Sequence, residues 1–336
     1  MLKGALVSGF YLGADRLGLS SMVRDSAWRR GRLMVLCWHG ISLDDEHLWN
    51  PWLYVSPGLF RERLRILASE GYNVLPLDEA LRRLWAGDLP PRSVVITFDD
   101  GFYDFFLHAA PALEEFGFPA TVYLTTYYVE HQLPVFNLIV PYMLWKSCKP
   151  GLCLADGSLL TNPEEAETAS RRIVEQTDRD GATSAQKDEI ARSLAAELGL
   201  DYETIRRQRR LYLMREEEVR TVIKSGLITI EAHTHRHRTP VDPERMTREL
   251  RDNQDSIAQI TGRRPVHFCY PSGVYRREYF ALLERQGFAS ATSSEVGIAT
   301  ARDHRYLVPR ILDHEDLASE QYRSWLTGVR SLGRST

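Results

Sequence analysis

This sequence predicts an α/β fold organised as a mainly parallel sheet or barrel. About eight short apolar, β-branched runs alternate with helical patterns along the chain. Two of the strongest runs end in chemistry-bearing residues, Asp99-Asp100-Gly101 and His233 to His237, as barrel strands do at their C-terminal rim. The 336 residues, 43% of them hydrophobic, suffice for one large α/β barrel or two smaller domains.

Residues 1–30 form a lead-in. Its first fourteen residues are mildly apolar, but Asp15 and Arg16 follow and no small-residue cleavage site appears, so it reads as a retained amphipathic segment touching a membrane surface rather than a signal peptide. A cytoplasmic or membrane-peripheral location is therefore favoured. No run of about 18 apolar residues exists, which excludes a spanning helix. The net charge of -3, from 42 basic and 45 acidic residues, gives no global reason to expect nucleic acid, and the cluster at 206–210 reads as a solvated helix face. Of the four cysteines, Cys37 and Cys269 sit in apolar strand contexts as buried thiols, while Cys148 and Cys153 could pair or stay free.

The first strand covers 32–37 and runs into Trp38-His39-Gly40. Ser56-Pro57 caps a helix whose Phe60, Leu64 and Leu67 recur at helical spacing until Gly71. A short strand at 73–75 and a helix at 78–85 precede the strand at 93–100. After Asp104 a helix runs toward Gly117, bent at Pro111, and 120–124 is the next strand. From about 126 to 213 no comparable strand appears: Asn162-Pro163, the capping box Thr183/Gln186 and Asp201 start three helices, which reads as a mostly helical insertion over the rim. A helix at 215–224 then leads into the histidine-bearing strand. A long helix from Asp242-Pro243 to Thr261, strands at 266–270, 288–292 and 306–312, a helix at 277–286 and a terminal helix near 315–326 complete the pattern.

The residues at 97–101 read TFDDG. Asp-Gly closes many turns, so the pair alone does not establish a site; at the end of a buried strand, however, both carboxylates can reach one cleft in different roles. Three histidines in the five residues HTHRH (233–237) are harder to explain by packing and suit a divalent metal site of His/His/carboxylate type. His39 ends a strand at the same rim. Trp49, Trp52 and Tyr54 are loop aromatics that could stack on sugar rings or cover a core edge.

TFDDG and HTHRH, in this order, resemble the first two motifs of the polysaccharide deacetylase family, carbohydrate esterase family 4 with its NodB homology domain, and the resemblance runs from about residue 32 to about residue 325. It implies an irregular (β/α) barrel over 31–336, interrupted by the insertion, and removal of N-acetyl groups from an amino-sugar glycan. It also implies one divalent metal, Zn²⁺ first and Co²⁺ or Ni²⁺ as alternatives. Such an ion lowers the pKa of its bound water from about 15.7 toward 7 and polarises the acyl oxygen. Three protein ligands leave room for that water: Asp100, His233 and His237. Asp99 is then the general base. Thr234 fixes the loop between the ligands and His235 points away. Members that act on bacterial exopolysaccharides are similar at the aromatic-His pair, which implies a general-acid role for His39, with His304 and His314 as alternatives.

The third motif departs from the family pattern. Where an arginine followed by Pro-Pro-aromatic-Gly is usual, this chain reads CYPSG (269–273), and the late Leu-x-His element is missing. The Pro-x-Gly frame leaves the Ser272 N–H as an oxyanion donor. Arg310 is the expected substitute for the arginine that holds the base. A deacylase of small or lipid-linked sugars or non-sugar amides, and an inactive carbohydrate-binding homologue, are the competing readings.

Overall fold

This computed structural model describes residues 19–147, 152–154, 157 and 159–331. The membrane contact expected of the first residues and the Cys148–Cys153 pairing lie outside the described residues. Seven parallel strands form a closed ring: β1 (Arg32–Trp38), β2 (Ser93–Asp100), β3 (Ala120–Leu124), β4 (Ile228–Ala232), β5 (His267–Cys269), β6 (Ser290–Val296) and β7 (Val308–Leu312). Each is bonded to the next, and β1 pairs with both β2 and β7, which shuts the barrel. The sequence predicts eight strands, and the eighth stays out of the ring. Asn73–Val74 is two residues long and pairs with β2 alone.

Alternation along the strands sorts the core into two clusters. Met34, Leu36 and Trp38 of β1 and Val94, Ile96 and Phe98 of β2 face the outer helices. Leu33, Val35, Val95, Tyr123, Cys269 and Val308 form a separate interior cluster against Leu77, Ala80, Leu81 and Leu84 of a helix. On the same interior parity, nearer the C-terminal ends, come Cys37, Thr97, Asp99 and Arg310. The barrel thus fills its lower part with apolar side chains and turns polar toward one rim. At the opposite end Arg29 is fully buried and donates to the carbonyls of Arg32, Ser93 and Leu326, tying the lead-in to the starts of β1 and β2.

The outer helices follow their sequence signals. α1 (Pro57–Ser69) has Ser56 accepting from Leu59 N–H, with proline in the first turn where a missing donor costs nothing. α2 (Leu77–Ala86) is the helix that closes the interior cluster. α3 (Ala110–Phe116) holds Pro111 in its first turn and follows a π-helical turn at Phe105–Ala109, so the chain widens ahead of the proline instead of bending at it. α4 (Glu216–Val222), α5 (Pro243–Thr261), α6 (Glu278–Arg285) and α7 (Ser319–Thr327) complete the shell.

Between β3 and α4 the three expected helices are present at Pro163–Arg179, Ser184–Leu198 and Tyr202–Arg207, the second with its capping box. Two more helices, Tyr127–His131 and Phe136–Ser147, and a hairpin pairing Leu152–Cys153 with Leu159–Leu160 were not legible in the sequence. Phe136–Ser147 is apolar nearly all round and contains Pro141, so it shows no amphipathic stripe to read. The basic cluster also differs from expectation. Arg209 and Arg210 are buried: Arg209 pairs with Glu218 and stacks 3.9 Å from the Tyr103 ring centre, and Arg210 reaches Asp44, Asp45 and Tyr142. Each carries its own partners, which is what lets a guanidinium leave solvent.

Candidate active site

The residues singled out at the strand ends converge on one rim. Asp99 follows the interior parity of β2. Asp100, next along, would point outward by simple alternation, but its φ of 68° breaks the pleat and turns its carboxylate back to the rim. Thr234 (φ 62°), His237 (φ 53°) and Ser272 (φ 53°) share this left-handed conformation, so four of the eight non-glycine residues with positive φ among those described belong to this rim. Gly101 (φ 86°) must be glycine, because a Cβ there would overlap the Leu124 side chain.

Asp100 Oδ1 lies 3.4 Å from His233 Nε2 and 3.3 Å from His237 Nε2. The His233 Nδ1 is bonded to the Cys269 carbonyl at 2.8 Å; the ring therefore donates from Nδ1 and leaves Nε2 facing the gap beside Asp100. Burial alone would push the His233 imidazole down, but Cys269 and Asp100 beside it hold it well above its usual value. Burial likewise lifts the Asp100 carboxyl, and the two imidazoles outweigh it, leaving it at about 2.

A divalent ion suits this set. Ligand atoms of Asp100, His233 and His237 all lie within 4.8 Å of one another, and Asp100 Oδ1 is buried without a hydrogen-bond partner, an acceptor directed at a cation-sized gap. Ligand atoms of Asp99, His233 and Cys269 also lie within 4.8 Å of one another. There, however, the Arg310 guanidinium stands 2.7 Å from Asp99 and 3.0 Å from the Cys269 sulfur, so a cation would meet a fixed positive charge.

Asp99 is clamped at both oxygens by Arg310, Nη1 to Oδ1 and Nη2 to Oδ2, each at 2.7 Å, and both side chains are buried. Burial would raise the Asp99 carboxyl; the guanidinium overcomes it and holds the group far below the usual carboxylate range. Arg310 is held in turn by the Ser293 carbonyl at 3.1 Å and Thr97 Oγ1 at 3.3 Å. His39 Nε2 is 3.8 Å from Asp99 Oδ2 and its Nδ1 is buried without a partner.

His314 is at the same cleft, stacked 4.0 Å from the Trp52 ring, whereas His304 stacks on Phe280 and is not part of the cleft lining. Ser272 lines the cleft in the turn Pro271–Gly273, where a Cβ on Gly273 would overlap the Ser294 side chain. His235 turns away to Thr126 Oγ1 at 2.9 Å, and Thr234 Oγ1 accepts from Arg238 N–H at 3.1 Å inside the loop. Of the loop aromatics, only Trp52 is exposed at the cleft; Tyr54 is buried and Trp49 packs on the core.

Sequence reasoning missed Asn253. Fully buried on α5, it accepts from His233 N–H at 3.0 Å and donates to the Leu124 carbonyl at 2.9 Å and Thr126 Oγ1 at 3.1 Å, fastening the ends of β3 and β4 together. The signal was present. Met246, Leu250, Asn253, Ile257 and Ile260 recur at helical spacing on one buried face, and an amide at a position otherwise filled by aliphatic residues asks for partners.

The cleft has a volume of about 710 Å³, and the insertion contributes Tyr128, Val135, Leu138, Lys187 and Leu213 to its wall.

The polysaccharide deacetylase family model matches residues 86–291, more than half of the chain. The chain belongs to the polysaccharide deacetylase family. His39 and Arg310 fall outside the matched residues. The poly-beta-1,6-N-acetyl-D-glucosamine N-deacetylase of Escherichia coli (strain K12) is 28% identical over 101 residues, which is 30% of this chain and 15% of that protein. This chain thus spans a minor part of that relative. Among solved structures, the Streptococcus pyogenes deacetylase PplD in complex with acetate superposes with a TM-score of 0.58 at 20% identity, covering 87% of this chain and 96% of that one. IcaB from Ammonifex degensii gives a TM-score of 0.54 at 18% identity, covering 88% of this chain and 97% of that one. At these identities the two structures establish the fold that the family shares.

Proposed function

We propose that this chain is a metal-dependent hydrolase that removes N-acetyl groups from an amino-sugar polysaccharide or glycan. One observation carries the reading: a partnerless carboxylate oxygen of Asp100 is flanked by two imidazole nitrogens at 3.3 and 3.4 Å, beside a second carboxylate, Asp99, held ionised by its own arginine. A binding module has no use for that second, separately clamped acid.

Asp100, His233 and His237 would hold the ion, Zn²⁺ before Co²⁺ or Ni²⁺. When bound, it supplies a Lewis acid for the acyl oxygen and lowers the pKa of water. Asp99 then accepts the proton of the attacking water. Arg310 keeps that carboxylate ionised and fixes its plane by the bidentate fork. The Ser272 N–H helps bind the developing oxyanion, and His39, 3.8 Å from Asp99, protonates the departing amine. The insertion shapes access through its part of the wall. Because that part includes the apolar Val135, Leu138 and Leu213, a lipid-linked acylated sugar is the second reading.

The test is acetate release from N-acetylglucosamine oligomers of different linkage, with metal-loaded and chelator-treated protein. Release that depends on added metal supports the reading. Equal, negligible release from both preparations against every acylated sugar tried would end it.

A further inference from the structure

A second, shallow cavity of about 710 Å³ adjoins the cleft and shares Arg236 and Arg238 with it. Arg245 and Arg248, one turn apart on α5, line its far side, and two carboxylates, Glu249 and Asp252, complete the charged lining. Glu249 is already engaged by Arg236, through the backbone N–H at 2.7 Å and the guanidinium at 3.1 Å. Arg238, which lines both cavities, is anchored to Asp178 of the insertion at 3.1 Å. The side chains of Arg245 and Arg248 are exposed and have no protein partner among the described residues. In a chain whose net charge is -3, this concavity is lined by four arginines against two carboxylates, and Arg245 and Arg248 are the pair whose charge is left facing solvent.

We propose that this arginine-lined cavity is a subsite for an anionic substituent on the glycan whose acetamide sits at Asp100, so that the substrate is a phosphate- or carboxylate-bearing amino-sugar polymer. The inference rests on the deacetylase reading above. Planar, always-charged guanidinium forks match either anion, and the shared arginines make one continuous path from the reacting acetamide to the charge.

The experiment compares neutral N-acetylglucosamine oligomers with the same oligomers carrying a 6-phosphate or an oxidised C6 carboxylate, using metal-loaded wild type and Arg245→Ala/Arg248→Ala. Both substituted positions are exposed and lie outside the reacting groups. Wild type should show KM about ten-fold lower for an anionic oligomer with kcat little changed. That advantage should vanish in the double variant and shrink at about 0.5 M NaCl, while turnover of the neutral oligomer is unaltered. The phosphate and carboxylate arms tell the two anions apart. Calorimetric binding of the phosphorylated oligomer separates the subsite from the chemistry: if no oligomer is hydrolysed, binding that the double variant loses still supports the subsite. Equal KM values for neutral and anionic oligomers, a preference retained by the double variant, or loss confined to anionic vesicle binding overturns the proposal.

Discussion

Replacing Arg310 by methionine tests the polar interior of the barrel. The substitution keeps an unbranched chain but deletes both 2.7 Å contacts to Asp99, leaving a carboxylate in a site where its side chain is 5% exposed. Two unit charges about 4 Å apart interact by roughly 4 kcal/mol at an effective dielectric near 20. Removing one partner of such a pair typically costs about 3–5 kcal/mol, because the survivor stays buried without compensation. The pH dependence should change sign. In the native protein Asp99 lies below its ordinary value, so its contribution is present above the unfolded pKa of about 3.9 and is lost as pH falls below it. Without Arg310, burial is unopposed and raises the carboxyl; stability is then highest below about pH 3.9 and is lost as pH rises through the new folded value. Urea melts between pH 4 and 8, with pH–rate profiles on an acetylated oligomer, measure both. Arg310→Met should lose about 3–5 kcal/mol at pH 7, and its acid limb should move to higher pH. A loss below about 1 kcal/mol with an unmoved acid limb would refute the reasoning.

Metal content separates the two aspartates. Asp100→Asn or His233→Ala should lose the ion by elemental analysis, whereas Asp99→Asn should keep it and drop kcat by about 10² to 10⁴. The turn at 271–273 distinguishes backbone from side chain: Ser272→Gly relieves a left-handed serine (φ 53°), keeps the N–H, and should retain activity with a gain of about 1 kcal/mol in melts. Gly273→Ala should destabilise by more than about 2 kcal/mol, since both its φ of 67° and the Ser294 side chain oppose a Cβ. His39→Gln should lower kcat by about 10² or more, while His314→Gln, which disturbs the Trp52 stack, should act mainly on KM. Asn253→Leu should weaken metal affinity about ten-fold or more with the ligands intact, because the end of β4 loses its tie to β3.

Local pattern was sufficient for much of this protein. Short apolar, β-branched runs located the seven barrel strands, and caps such as Ser56, Asn162, Thr183 and Asp242 located helix starts, because strand burial and orphan N–H groups are short-range constraints. TFDDG and HTHRH likewise marked Asp99, Asp100, His233 and His237 as belonging to one site. Other features required closure of the ring. Alternation does not foretell that φ of 68° returns Asp100 to the rim beside Asp99, nor does spacing reveal Asn253 beneath His233. Arg209 and Arg210 looked solvated because Tyr103 and Gln132, which Arg209 meets, and Asp44 and Asp45, which Arg210 meets, come from distant segments. The eighth strand fell outside the barrel because the ring already closes through β1 and β2 and leaves a two-residue segment only an edge to pair with. Dihedral preference and amphipathic period are properties of neighbours in sequence; partner identity for a buried charge, and the convergence of Asp99, Asp100, His233 and Arg310 on one cleft, are set by which strand ends the closed barrel brings together.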